Sequence, residues 1–262
     1  MYELDYVRKR KRRRRVAIIG GISAMVVTTL GIVAFLGRYS GTFTVSLESK
    51  DVQLTLSTQS NFETRSSFLR VKDVPSFQEY TYCDFRKIGD DVIDSEETTV
   101  DLGLNAKGDA LDFFKYTFFV KNVGTNPAKY DISLNILENV AGKDGRSLED
   151  TVRVAVFDNG NKTVYAKRAS TPHMDGDKAD YRAPISVDES EATDLYPFEG
   201  YAEMFVSSKV ISNSIGVELD VGEVRRYTVV TWLEGFRSSN RELAPEGATI
   251  KLGVEINAYE NE

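Results

Sequence analysis

Eight consecutive basic side chains, Arg8 through Arg15, run directly into 22 residues without an ionisable group, Val16 to Gly37. No other feature limits the possible folds as strongly. At about 1.5 Å per residue, a helix of that length reaches roughly 33 Å, enough to cross a hydrocarbon core of about 30 Å. Ser23, Thr28 and Thr29 are polar but uncharged. A cleaved leader has a shorter apolar core and ends on small residues at positions −3 and −1. Here the exit reads Ala34-Phe35-Leu36-Gly37-Arg38-Tyr39-Ser40-Gly41, so Arg38 or Tyr39 would hold position −3 for cuts after Ser40 or Gly41. A lipoprotein cysteine is absent from the exit, because the one cysteine is Cys83. The expectation is an uncleaved anchor.

A basic run by itself also fits a nuclear localisation signal or a nucleic-acid patch. Its abutment on a spanning segment decides against both. Arg8, Arg12 and Arg15 then set topology by the positive-inside rule, with the N-terminus cytoplasmic and the C-terminal bulk outside the cell membrane. The expected organisation is a basic tail at 1–15, a transmembrane helix at 16–37 and an extracellular domain at 41–262. Eight basic and two acidic side chains give residues 1–15 a net charge of +6 against −7 for the whole chain, leaving −13 for the rest. A domain of that sign repels nucleic acid and anionic headgroups. One cysteine allows no internal disulfide, so stability must come from an ordinary core. Such sparing use of cysteine suits a bacterial surface protein, and a Cys83–Cys83 bridge between chains stays open.

The 222 residues from Gly41 onward are dominated by apolar side chains at period two, the mark of strands with one buried face. Phe43, Val45 and Leu47 alternate with polar residues, as do Val52, Leu54 and Leu56, while Val152, Val154 and Val156 alternate with Thr151, Arg153 and Ala155. Ile250, Leu252, Val254 and Ile256 form the cleanest case. Tyr116–Lys121, Tyr130–Leu137 and Tyr227–Leu233 are more continuously apolar and read as central strands. Asp158-Asn159-Gly160-Asn161 supplies the positive φ angles of a tight hairpin. Asn122–Pro127 and Asp220–Glu223 read as turns. Phe198, Tyr201, Ala202 and Phe205 have the spacing of a short helix, with an irregular strand as the alternative. The expected fold is all-β, a jelly-roll or Ig-like two-sheet sandwich of about eight or nine strands, with Phe118, Val120, Val229 and Trp232 in its core. Two acidic stretches, 87–108 and 170–197, read as long loops at one end of it.

Catalytic chemistry finds little support in the residues. The single histidine, His173, lies in a loop, and no HExxH pair for zinc occurs. Cys83 sits in a strand-like context and reads as a buried, inert thiol. Asp175, Asp177 and Asp180, with Asp188, Glu189, Glu191 and Asp194 nearby, offer oxygen ligands of the kind calcium takes. Lys178 interrupts them and a closing Glu is missing, so a solvated acidic loop is the plainer reading. No cofactor is expected. Asn161-Lys162-Thr163 matches a glycosylation sequon inside a tight turn.

Tyr227-Thr228-Val229-Val230-Thr231-Trp232-Leu233-Glu234-Gly235, preceded by Gly222-Glu223, resembles the closing strand of TasA/camelysin-like surface proteins of Gram-positive bacteria. Phe118-Phe119-Val120-Lys121-Asn122-Val123-Gly124 is similar to a strand, Lys-Asn-x-Gly, strand unit of the same family. An apolar segment shortly before the Phe43–Leu47 and Val52–Leu56 strand pair adds to the likeness. The motif positions are Asn122, Gly124, Trp232, Glu234 and Gly235. The resemblance implies an exported jelly-roll-like sandwich, some members of which build biofilm-matrix fibres by lending an edge strand to the next subunit. This chain departs by lacking the family's cleavage site and an Asp-Pro-x-Cys tail. Camelysin has been classed as a metallopeptidase, an activity that one histidine and no zinc motif do not carry over.

Two readings follow. One is a non-enzymatic, membrane-anchored surface protein, structural or adhesive, meeting other surface proteins or itself through strand edges and acidic loops. The alternative is a camelysin-type metallopeptidase, or an accessory subunit of an envelope complex. No nucleic acid and no small-molecule substrate is expected. Because Arg38–Gly41 spans at most about 14 Å, an uncut chain is expected to be an anchor or fibre base.

Overall fold

A computed structural model describes residues 41–49, 53–74, 77–96, 100–108, 110–187, 189–235, 245 and 247–260. The basic run, with Arg8, Arg12 and Arg15, and the 16–37 segment lie outside the described residues, as do Val52 and Asp188. Among the described residues no helix is long and apolar enough to cross a membrane. Gly41–Glu262 forms one compact unit.

The strands, in chain order, are β1 (Gly41–Ser49), β2 (Leu54–Ser57), β3 (Phe68–Val74), β4 (Glu79–Tyr80), β5 (Phe113–Asn122), β6 (Ala128–Val140) and β7 (Val152–Asp158). They continue as β8 (Asn161–Ala166), β9 (His173–Asp175), β10 (Lys178–Asp180), β11 (Glu203–Met204), β12 (Val210–Leu219), β13 (Val224–Glu234) and β14 (Thr249–Glu260). The chain is mostly β, in two large sheets. One has the order β12-β6-β14-β1-β3 and the other β11-β8-β7-β13-β5-β2, with β4 beside the end of β13. β9 and β10 form a separate hairpin.

Period two does what the alternation promised. Phe43, Val45 and Leu47 of β1, and Ile250, Leu252, Val254 and Ile256 of β14, enter one shared core with Phe118, Val120 and Val229 of the opposite sheet. The Phe43 ring lies 5.5 Å from Phe114 and 5.1 Å from Tyr116. β5, β6 and β13 are central strands, as their apolar runs predict. Asn159 (φ 49°) and Gly160 (φ 91°) make the tight turn between β7 and β8. The count exceeds expectation because short strands such as β4, β9, β10 and β11 are too brief to show a period. β1 and β2 are not a pair: they belong to opposite sheets, and the Ser66–Ser67 segment bonds to both, through Leu56 N (2.9 Å) and Leu47 N (2.9 Å).

Hydroxyls of Tyr130 and Tyr227 meet at 2.8 Å between the sheets. Burial pushes Tyr227 and Tyr116 up to about 12 and raises Tyr130 further. Unfolded phenols ionise near pH ~10. Above that pH the unfolded chain loses protons that the fold keeps, so stability falls as pH rises from 10 to about 12. The slope is about 1.4 kcal/mol per pH unit for each such phenol. Urea midpoints should hold level below pH ~10 and drop above it, while phenolate absorbance of the native protein lags that of free tyrosine.

A second apolar cluster lies on the opposite face of the β13 sheet. Trp232, Val230, Ala155 and Phe157 project there and are covered by Tyr82, Phe85, Ile93, Ala183 and Ala202. Phe85 stacks on Trp232 at 5.2 Å. Both acidic stretches therefore contribute cover to a sheet face, where end loops were expected. Their few apolar residues are scattered singly among polar ones, which is why they read as loops. Tyr82–Arg86 is a short helix where a strand was expected. Thr81 caps it, its Oγ accepting from Asp84 N at 3.1 Å. Phe198–Phe205 forms no helix and contains β11.

Candidate functional site: a bulged sheet edge and the cleft beneath it

β12 closes the first sheet and has no second neighbour among the described residues. Its pairing with β6 slips twice, between Val210 and Ser212 and between Ser214 and Val217. Gly216 (φ 68°) allows the second bulge, where Ile215 stands 75% exposed. Asp131 of β6 holds that bulge, accepting from Gly216 N at 2.8 Å and from the Tyr259 hydroxyl at 2.9 Å. Bulges are a standard means of blunting an edge against long added strands. What remains straight is short: Ser212–Ser214 on one side and Val217–Leu219 on the other.

Beneath this edge the two sheets part around a cavity of about 190 Å³. Phe118, Leu134, Val229 and Val254 form its apolar floor, while Asn161, Thr163, Ser212 and Ser214 line its polar mouth. Asp158, also in the lining, is taken by Arg225 through two bonds of 2.6 and 2.9 Å. The mouth thus offers neutral hydrogen-bonding groups and a satisfied ion pair. At the β1–β2 side the Ser66–Ser67 segment laces the two sheets together, so the two sides differ in kind.

The motif residues are structural joints. Asn122 is fully buried at the end of β5; its Nδ2 donates to Asn126 O (2.8 Å) and Leu219 O (3.1 Å), and its Oδ1 accepts from Gly124 N (2.9 Å). It ties β5 to β12, in the other sheet. A Cβ at Gly124 would lie 3.1 Å from Asn122 Oδ1, a tight approach to the side chain that bonds Gly124 N. The buried Glu234 carboxylate accepts from Trp232 Nε1 (3.0 Å) and from Tyr82 N (3.2 Å). Gly235 N donates to Tyr80 O at 2.9 Å. No family model, curated protein or solved structure matches the chain.

Asp175 and Asp177 sit on the β9–β10 hairpin. Asp180 is engaged by Arg182, Nε at 2.8 Å and Nη2 at 2.7 Å, with His173 Nε2 at 3.6 Å. Hydrogen bonds from Arg182 hold its carboxyl below the usual range. No three His, Cys, Asp or Glu side chains converge as a metal site among the described residues. His173 stacks on Tyr201 at 3.7 Å.

Sequence reasoning missed a polar network under the outer layer. Lys115, 1% exposed, donates to Ser95 Oγ (2.8 Å) and to the Ser95 carbonyl (3.3 Å). Thr117 bonds the same carbonyl at 3.0 Å and meets Thr228 at 2.9 Å; Thr228 donates to Asp94 at 2.7 Å, and Arg226 pairs with Asp94. A Ser–Lys pair is one known nucleophile geometry. Here Lys115 grips the backbone beside that serine as well, and the pair fastens the 94–95 segment to β5. Lys115 and Thr117 alternating with Phe114, Tyr116 and Phe118 was the available signal.

Cys83 is 3% exposed, with Sγ 2.9 Å from Ser186 Oγ, and burial raises its pKa. A bridge between chains through this thiol is incompatible with that position. Native protein should resist thiol-labelling reagents and react stoichiometrically in denaturant; fast native labelling would contradict the packing.

Proposed function

We propose that the chain is a membrane-anchored cell-surface protein with a structural or adhesive role, its β-rich unit held outside the membrane by an uncut N-terminal segment. One observation carries the reading: β1 begins at Gly41, three residues past Arg38, and its Phe43, Val45 and Leu47 are core residues of the β-rich unit. A fold whose interior strand starts so few residues after a 22-residue apolar stretch leaves little chain between the two. The jelly-roll-like arrangement and the kinship with TasA/camelysin-like proteins belong to this proposal. So does contact with other surface proteins through sheet edges. The bulges of β12 favour short, terminating contacts over long strand addition, in keeping with an anchor or fibre base.

Membrane fractionation of C-terminally tagged full-length protein tests the reading. The expected result is retention in the membrane fraction, with the tag open to added protease on intact cells and the N-terminus uncut. Release of most of the protein with a new N-terminus near Ser40 would overturn it.

A further inference from the structure

β1 enters the first sheet at Gly41 and lies between β14 and β3. Its ladder with β14 is parallel and unbroken, from Phe43 opposite Leu252 to Ser49 opposite Ala258. Its ladder with β3 is antiparallel, from Gly41 opposite Val74 to Ser46 opposite Phe68. Gly41 therefore lies at one end of the sheet, and Glu260, with the turns around Asn122 and Gly222, at the other.

Ladder hydrogen bonds cross the strand axis. A pull on Gly41 away from the sheet, resisted anywhere at the opposite end, is directed along β1. Both ladders are then loaded in shear, and their bonds share the force instead of opening one after another. Phe43, Val45 and Leu47, all buried, would also have to slide past Phe114 and Tyr116 before β1 came free. A pull between Gly41 and a point at its own end of the sheet acts differently. It peels β1 from β14 starting at the Phe43–Leu252 pair, one pair at a time.

We infer that Gly41–Glu262 is a force-bearing module in which β1 is the load-bearing strand, resisting tension between whatever holds its N-terminal side and whatever grips the opposite end. The inference rests on the proposed anchorage for the source of the load, whereas the directional response belongs to the sheet alone.

Single-molecule force spectroscopy on the Gly41–Glu262 unit tests it; that unit contains both apolar clusters and every described ladder. One handle precedes Gly41 in both arms. The second follows Glu262 in the first arm and is attached through Lys251→Cys in the other, with buried Cys83 left in place. Asp144→Cys, in the exposed turn at the same end as Lys251, repeats the second arm should Lys251→Cys disturb folding. Unfolding under force reports the barrier along the pulled direction. End-to-end rupture is expected to need severalfold more force than same-end rupture. Equal forces in the two directions, or a weaker end-to-end event, would overturn the inference and leave the anchorage untouched. A released protein in fractionation would remove the source of load and leave the force anisotropy standing.

Discussion

Trp232→Ala is expected to lower the stability of the Gly41–Glu262 unit by about 3–5 kcal/mol, the range for emptying a large aromatic site in a packed interior. Trp232 is fully buried, stacked on Phe85 at 5.2 Å and 5.7 Å from the Tyr82 ring. Its loss removes the floor on which the Tyr82–Arg86 helix rests. The indole N–H also satisfies the buried Glu234 carboxylate, so truncation leaves that acceptor with a lost partner. For a unit of this size the melting temperature should fall by roughly 6–20 °C. Trp232→Phe keeps a ring, though a smaller one, while losing the donor, and should cost less than alanine, about 1–3 kcal/mol. Urea unfolding followed by far-ultraviolet circular dichroism provides the comparison. A Trp232→Ala loss below about 1 kcal/mol would mean that the second cluster contributes no stability.

Asn122→Ala comes next, at about 3 kcal/mol, because one side chain satisfies three backbone groups and each buried group left unpaired costs about 1–3 kcal/mol. The pattern among variants is more telling than the size. Asn122→Asp keeps the acceptor facing Gly124 N but turns a carboxylate oxygen toward the carbonyls of Asn126 and Leu219. It should be worse than alanine at neutral pH and improve as the solution is acidified and the group takes a proton. If Asn122→Asp matched wild type, the assigned amide orientation would be wrong. Both variants should loosen the joint between β5 and β12, seen as faster amide exchange at Leu219 and Gly124.

The large strands were legible because alternation is a local property: Ile250, Leu252, Val254 and Ile256 reveal their shared face without knowledge of what covers it. Trp232 was read as a core residue, and its burial bears this out, yet it belongs to the second cluster. That cluster was hidden because its cover is two short helices, Tyr82–Arg86 and Asp90–Ile93, and loop, where Tyr82, Phe85, Ile93 and Ala183 follow no period. Segments that short take their structure from the sheet they land on. Pairing was hidden too, since no local pattern says that β1 lies parallel to β14. At the motif positions the sequence carried no hint of the bonds that geometry shows there. Asn122 and Glu234 are hydrogen-bonding joints, a role that spacing alone does not distinguish from a binding one.

The place of β14 also dictates the order in which the chain can be completed. Ser46 and Val254 bond across 208 positions of sequence, and among the described residues β14 alone bridges the β12-β6 and β1-β3 halves of its sheet. While the ribosome is still making residues before Thr249, those halves have no partner for their facing edges. Pairings so distant in sequence are slow to close, and unpaired edges invite aggregation meanwhile. Synthesis of β1 therefore precedes its pairing with β14 by almost the whole length of the domain. Until β14 has been made, the half-paired chain depends on whatever keeps its open edges apart from those of its neighbours.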